Sequence, residues 1–388
     1  MKNIYWLIIT ICLLQGPQSV GQGWEYAFSG TMASVAQDVV QTTDSGYVAV
    51  SNQQQGSTFL IKTDQYGQEQ WRKYISDANS NIRYLDRLAI LADGRITLAT
   101  LLEYSTTSNG SSQSASKIMW KQFDLQGNQL DSQAYNFQIQ YEVLDFDFNS
   151  SGNVVVAGKS SNTTNHIDSV FVGQVQFPTA QVQWMSTVTR NVYDEIKISA
   201  SGNGALVLAN GWNETFMAKM GSTGLVESNH WWHSSILVGA EKAISTLDNG
   251  ALLLYKQQVK KIDQTGALVW QYDLPILPNV EYTQDAIALD QGGYLVVLAD
   301  QVFLLDELGN LIRAQELQGN ISGVALQKTY DGGFILVGTN LVDAAAQGGF
   351  KKHLIKGDAL LYIHTNVIKG NVYKDLDYSC RSDLKTKC

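Results

Sequence analysis

Three features of this 388-residue sequence predict an all-β chain, folded as a seven-bladed β-propeller of four-stranded antiparallel blades. A tight turn followed by an apolar run recurs seven times along the chain. A strand–turn–strand unit follows each of the first six runs. The first strand-like stretch belongs to no repeat, and the last repeat lacks its fourth strand.

The turn-and-run unit reads TDSGYVAVS, LADGRITLAT, NSSGNVVVAG, SGNGALVLAN, LDNGALLLYK, LDQGGYLVVLAD and TYDGGFILVGT in chain order. Its turn glycines are Gly46, Gly94, Gly152, Gly204, Gly250, Gly293 and Gly333, spaced 48, 58, 52, 46, 43 and 40 residues apart. Periods of about 40 to 50 residues built from short strands are those of propeller blades. The run after each glycine is apolar on consecutive residues, as in LVVL and VVVA. Such a strand is buried on both faces, as in a blade stacked between two others.

The second unit includes FLIKTDQYGQEQW, VKKIDQTGALVW and VFLLDELGNLIRA. Asp and Gly suit its turn because Asp bonds nearby backbone and Gly accepts positive φ. Each repeat thus supplies strands a to d. In strand d, Trp71 and Ile75, Trp184 and Val188, and Trp270 and Leu274 are four apart and share one face. The four prolines are few, as central strands need every N–H.

The seventh repeat ends differently. Its second half is HLIKGDALLYIHTNVIKG, with Thr365 where Trp71 stands in the first repeat. Near the N-terminus, WEYAFSG alternates Trp24, Tyr26 and Phe28 with smaller or polar residues. It reads as a spare strand d, expected to pair with the seventh repeat and close the ring.

The Asp-Gly-Gly-Tyr, Leu-Ile-Lys-Thr-Asp and Gly…Trp pattern resembles the β-propeller repeats of secreted and surface proteins of the Bacteroidota. DSGYVAV, FLIKTDQYGQEQW and DGGFILVG carry the resemblance, which spans residues 24–361. The repeat is more distantly similar to that of quinoprotein propellers. The resemblance implies the fold and an extracellular setting, and leaves the ligand open.

Composition narrows the partners. The net charge of −9 and the absence of a basic stripe exclude nucleic acid. Residues 1–21 read as a signal peptide: Lys2, an apolar run from Ile4 to Leu14, then Ser19 and Gly21 before the cut. That run is too short to span a bilayer, so no transmembrane segment is expected. The propeller is assigned to residues 22–365, as a monomer. Residues 366–388 read as the start of a truncated immunoglobulin-like module or a disordered tail. Cys380 and Cys388 are the disulfide candidates, an oxidising compartment permitting the bond.

Binding is expected on the face of the b–c and d–a loops. Residues 101–117 and 159–169 make long polar loops there, whereas the a–b and c–d turns are short and uniform. Tyr104, His166, Trp212 and Tyr282 are the ring donors expected on that face. Asp38, Asp86, Asp145, Asp194 and Asp285 precede strand a in five repeats and are expected near the channel mouth. Their structural role would be to bond backbone N–H groups and lock adjacent blades; the sharper alternative is a cation site. His230 and His233 have a zinc-like spacing but no completing ligands, and Trp231 or Trp232 is expected to replace the strand d Trp. Asp375, Asp377, Ser379 and Asp383 follow a calcium-loop spacing without its Gly or closing Glu. Asp168-Ser169-Val170 fits a short bacterial O-glycosylation pattern. No catalytic residue, metal or cofactor is assigned.

These readings add up to a secreted or surface-exposed, non-enzymatic binding or scaffold propeller, with a glycan or a protein as ligand. The alternatives are an extracellular propeller enzyme, either a quinoprotein dehydrogenase or a polysaccharide lyase, and a spacer without ligand.

Overall fold

A computed structural model describes residues 23–29, 34–53, 57–76, 84–108, 111–161, 168–177, 179–189, 195–211, 214–233, 239–275, 285–317, 321–340 and 351–358. They form seven four-stranded antiparallel sheets, which is the seven-bladed propeller that the repeats predict. The chain enters through β1 (Trp24–Ser29) and then makes the first blade from β2 (Ser34–Gln41), β3 (Tyr47–Gln53), β4 (Ser57–Thr63) and β5 (Glu69–Ser76). The second holds β6 (Tyr84–Ile90), β7 (Ile96–Ser108), β8 (Ser111–Phe123) and β9 (Gln129–Asn136). The third holds β10 (Tyr141–Phe148), β11 (Val154–Ser161), β12 (Asp168–Gln176) and β13 (Gln181–Thr189). The fourth holds β14 (Glu195–Ser201), β15 (Gly204–Asn210), β16 (Glu214–Met220) and β17 (Val226–His233). The fifth holds β18 (Lys242–Ser245), β19 (Ala251–Leu254), β20 (Gln258–Ile262) and β21 (Leu268–Asp273). The sixth holds β22 (Asp285–Ala288), β23 (Tyr294–Leu298), β24 (Gln301–Leu305) and β25 (Leu311–Glu316). The seventh holds β26 (Ile321–Lys328), β27 (Phe334–Asn340) and β28 (Lys351–Gly357), completed by β1.

The spare strand closes the ring. β1 pairs antiparallel with β28 from Trp24↔Lys356 to Ser29↔Lys351. Its other face packs on the first blade. The Trp24 and Tyr47 rings lie 5.4 Å apart, the Phe28 and Phe59 rings 5.9 Å. Tyr26 donates its hydroxyl to Glu69 Oε2 at 2.7 Å, and Glu69 is also held by Arg72. On the opposite face, His353 Nδ1 and Glu25 Oε1 lie 2.6 Å apart, both side chains nearly buried.

Four interfaces between blades share one device. The strand d indoles of Trp24, Trp71, Trp184 and Trp270 reach the c–d turn of the next blade. They donate to the carbonyls of Gln65, Leu125, Ser222 and Glu307 respectively, at 2.8 to 2.9 Å. Two residues after each carbonyl stands the turn glycine. Gly309 shows why: its φ is +82°, and a Cβ there would lie 2.5 Å from the Trp270 ring. In the fourth blade the ring on Gly266 is that of His230. This corrects the expectation for Trp231 and Trp232. Trp231 instead packs on Phe216 of its own blade, and Trp232 is buried beside Leu208 and Tyr255. The register explains the swap: Ser228 occupies the Trp position, so the next residue on the same face, His230, covers the turn.

Within blades, the repeat motif encodes a partly buried ion pair. In the a–b turns, Asp44, Asp248 and Asp331 each accept a hydroxyl from the Thr two residues before, at 2.5 Å. They meet Lys62, Lys261 and Lys356 of strand c at 3.0, 2.8 and 3.0 Å. Burial opposes ionisation of these carboxyls. The lysine, hydroxyl and backbone donors outweigh it and hold all three below the usual range, Asp248 at about 2.

Candidate functional site: the central channel

The seven a strands surround a cavity of about 1370 Å³. Counting back from the a–b turn, the same inner register position is held by Asp38, Arg87, Asp145, Lys197, Lys242, Asp285 and Ala325 in blade order. All seven line the cavity. The expected ring of carboxylates is therefore a ring of mixed charge. Two residues further along each strand stand Val40, Ala89, Asp147, Ser199, Ile244, Ile287 and Gln327, a mostly apolar level.

The aspartates join neighbouring blades through backbone amides. Asp38 accepts from the amides of Val39 and, across the interface, Leu88, both at 2.8 Å. Asp145 accepts from Phe146 at 2.9 Å and Ile198 at 3.1 Å. Asp285 accepts from Ala286 at 2.8 Å and Leu326 at 2.9 Å, and Lys242 Nζ lies 2.6 Å away. Asp147 repeats the device one level on, with Phe148 and Ala200 both at 2.8 Å. Among the described residues no three His, Cys, Asp or Glu side chains are grouped as a metal site requires.

Asp86 departs from the expectation. It stands one residue before the ring position and is fully buried between the first two blades, accepting hydroxyls from Thr58 of the first at 3.1 Å and Thr100 of its own at 2.6 Å. Spacing from the turn glycine misplaces it because Arg95 intervenes between Gly94 and the first core residue, Ile96. Arg87 holds the ring position instead. A quarter of its side chain is exposed, its NH1 is 3.5 Å from the Asp86 carbonyl, and its NH2 is 3.7 Å from Asp145 Oδ1. Burial works against its charge, but Asp145, Asp38, Asp147 and Asp285 raise its pKa above the ordinary value.

Burial dominates at two of the carboxyls. Asp38 is pushed up to about 6 against the pull of Arg87 and two amides, and Asp147 is raised for the same reason. A folded-state value above the unfolded one stabilises fully below the unfolded pKa and is lost as pH rises through about 6. The lowered turn aspartates act oppositely, losing their contribution as pH falls below about 4. Stability is therefore expected to peak near pH 4–5 and the melting temperature to fall by ~5 °C toward pH 7.5. Calorimetry across that range checks it: Asp38→Asn should shrink the alkaline fall, and an unchanged slope would refute the assignment to Asp38.

The loop face differs from expectation in one place. Residues 101–108 and 111–117 are strand rather than loop: β7 and β8 run on past the blade as a hairpin, in register from Ile96↔Phe123 to Ser108↔Ser111. Pairing with β6 ends at Leu102 and pairing with β9 ends at Lys117. Tyr104 lies on this hairpin opposite Ala115, half-buried rather than an exposed loop ring. His166, Trp212, Tyr282, Asp194, Cys380 and Cys388 lie outside the described residues, as do residues 1–21 and 366–388. Sequence reasoning missed Arg87, Lys197 and Lys242, which counting from the first core residue after each turn would have found. It also missed exposed apolar residues on the opposite, a–b and c–d, face: Tyr66, Leu225, Leu247, Leu308 and Tyr330.

No helix among the described residues is long and apolar enough to cross a bilayer. No family model matches this sequence, and no curated protein does. Solved structures do match. A streptogramin B lyase aligns with a TM-score of 0.55 and 13% identity, over 87% of this chain and 99% of that one. The virginiamycin B lyase of Staphylococcus aureus gives 0.56 and 9%, over 86% and 99%. The WD40 repeats of RRP9 give 0.54 and 13%, over 86% and 97%. At such identities the likeness is one of fold, and what these lyase and WD40 structures share with this chain is the β-propeller.

Proposed function

We propose that this chain is a secreted or surface-exposed, non-enzymatic binding propeller. Its partner, a protein or a glycan, docks on the face of the b–c and d–a loops. The projecting β7–β8 hairpin carries this reading. Beyond Ser116, which accepts the Phe137 and Val143 amides, residues 105–108 and 111–114 pair only with each other among the described strands, four residue pairs or on the order of 13 Å at strand rise. A two-stranded ribbon standing alone is marginal in water, so a partner that covers it would stabilise it. The channel carboxylates support a binding role rather than acid–base chemistry, because backbone amides engage both oxygens of each ring aspartate.

The test removes residues 105–114 and joins the shortened strands. Capture of surface glycans on an array, or of extracellular protein partners, is expected to drop at least tenfold while the melting temperature holds. Binding undiminished by the cut refutes the hairpin as the docking element. The exposed Tyr66, Leu308 and Tyr330 support a second reading, a partner on the a–b/c–d face. Loss of binding in Tyr66→Ser with Tyr330→Ser, and not in the hairpin deletion, would select it.

A further inference from the structure

Strand d opens with a bulge just after the c–d turn, and its outer side is normally polar there. The first four blades place Glu69 and Gln70, Gln129 and Leu130, Val182 and Gln183, and Val226 and Glu227 at that point. The fifth and sixth place Leu268 and Val269, then Leu311 and Ile312, with 38, 57, 44 and 61% of each residue exposed. Apolar residues scattered singly over a surface need no explanation, but exposed pairs repeated on neighbouring blades and rimmed by charge mark a contact surface.

Contacts between these two blades join the pairs into one patch. The Trp270 indole of the fifth donates to the Glu307 carbonyl of the sixth, and its ring covers Gly309. Leu308 stands between those two residues and is 74% exposed. The Glu307 side chain reaches over the a–b turn of its own blade, where a Cβ on Gly292 would clash with its Oε1. Beneath it, the Tyr294 ring lies 5.6 Å from Trp270. Burial, then the charges of Asp248 and Glu307, push the Tyr294 hydroxyl up to about 12, so both carboxylates act on one ring.

The patch carries acid, and the bases around it are paired or turned away. Among the described residues, Asp263, Asp306 and Glu307 form no ion pair. The Asn310 side chain and backbone amides hold Asp306 below the usual carboxylate range, and the Thr265 hydroxyl with the Ala267 amide does so for Asp263. Lys261 is buried against Asp248 at 2.8 Å, Lys219 is held by Asn249 and Glu227, and Lys328 by Asp290. Arg313 stands at the register position of Trp270, and so on the side of the seventh blade. Exposed leucines among unpaired carboxylates repel an acidic partner or an anionic membrane and suit a basic, apolar one.

We propose that the fifth and sixth blades dock a protein segment in which Lys or Arg alternates with large apolar side chains. The apolar side chains would lie on Leu308, Leu311 and Ile312, and the cations on Glu307 and Asp263. The proposal rests on the second reading above, a partner on the a–b/c–d face, and gives that partner its chemistry.

Fluorescence anisotropy of the full chain with labelled Arg-Leu, Glu-Leu and Arg-Ser repeat peptides of equal length tests it. The Arg-Leu peptide is expected to bind at least tenfold tighter than either of the others. Leu308→Ser with Ile312→Ser, and separately Glu307→Gln, should each weaken it at least threefold at an unchanged melting temperature, since these side chains are exposed. Glu142→Gln with Glu316→Gln, exposed at the opposite end of the blades, controls for net charge and should change nothing. Removal of residues 105–114 should also leave the affinity unchanged. Equal affinity for the three peptides, no binding of any, indifference to both patch variants, or an equal loss in the control pair would overturn the proposal. In any of those cases, loss of partner capture in Tyr66→Ser with Tyr330→Ser would still place a partner elsewhere on the face.

Discussion

Deletion of residues 22–30 is expected to unfold the propeller as a unit rather than to fray one end. The cut removes the whole of β1 and, with it, the fourth strand of the seventh blade. Buried Phe28 leaves Phe59, the Trp24 ring leaves Gly67, and the Tyr26 hydroxyl leaves Glu69. Truncating one such aromatic costs about 3–5 kcal/mol, and a whole domain is stable by only about 5–15 kcal/mol. The loss also bares the edge of β28, whose Leu354 and Ile355 are buried in two separate clusters, one on each side of the blade. Thermal unfolding followed by circular dichroism should show the cooperative transition lost or lowered by more than 15 °C. A midpoint unmoved by the deletion would show that β1 does not hold the ring.

Replacement of Arg87 by Ala is expected to be the most damaging single change in the channel. The side chain is the cation among Asp38, Asp145, Asp147 and Asp285, all of which act on it. Without it, carboxylates whose oxygens are fixed to two blades stay desolvated and lose their counter-charge. Breaking a buried charge arrangement from one side costs about 3–5 kcal/mol. Urea unfolding should show that loss at pH 7.5 and a smaller one near pH 5, where Asp38, with its pKa of about 6, is protonated. Equal losses at both pH values would mean that Arg87 acts through packing and not through charge.

The architecture could be read from the sequence because its cause is periodic. The seven turn-and-run units set the blades, and the alternation of Trp24, Tyr26 and Phe28 identified a strand before any partner was known. The channel was less legible because its side chains follow register, and register slips by single residues. Arg95 after Gly94 displaces the count, so that Asp86 reads as the ring residue while Arg87 occupies the place. A slip of one residue in a strand moves a side chain to the other face. The Trp-to-His exchange was hidden for a related reason. Ser228 lies where Trp71 predicts an indole, and only the pairing of β16 with β17 shows His230 reaching Gly266. The polar run from 101 to 117 looked like a loop because Ser and Thr fill it, although both residues tolerate an extended strand.

Glu25 and His353 touch across 328 residues of sequence. The earliest of the described strands to be synthesised is therefore among the last to find its place. Blades one to six can form as they emerge, while β1 waits for β28 to be synthesised. Closure of so long a loop costs only slightly more entropy than closure of a short one, since the cost grows with the logarithm of length. Its consequence is one of time: until synthesis has passed Gly357, the nascent ring stays open at one seam, and both strand edges at that seam are available to another chain.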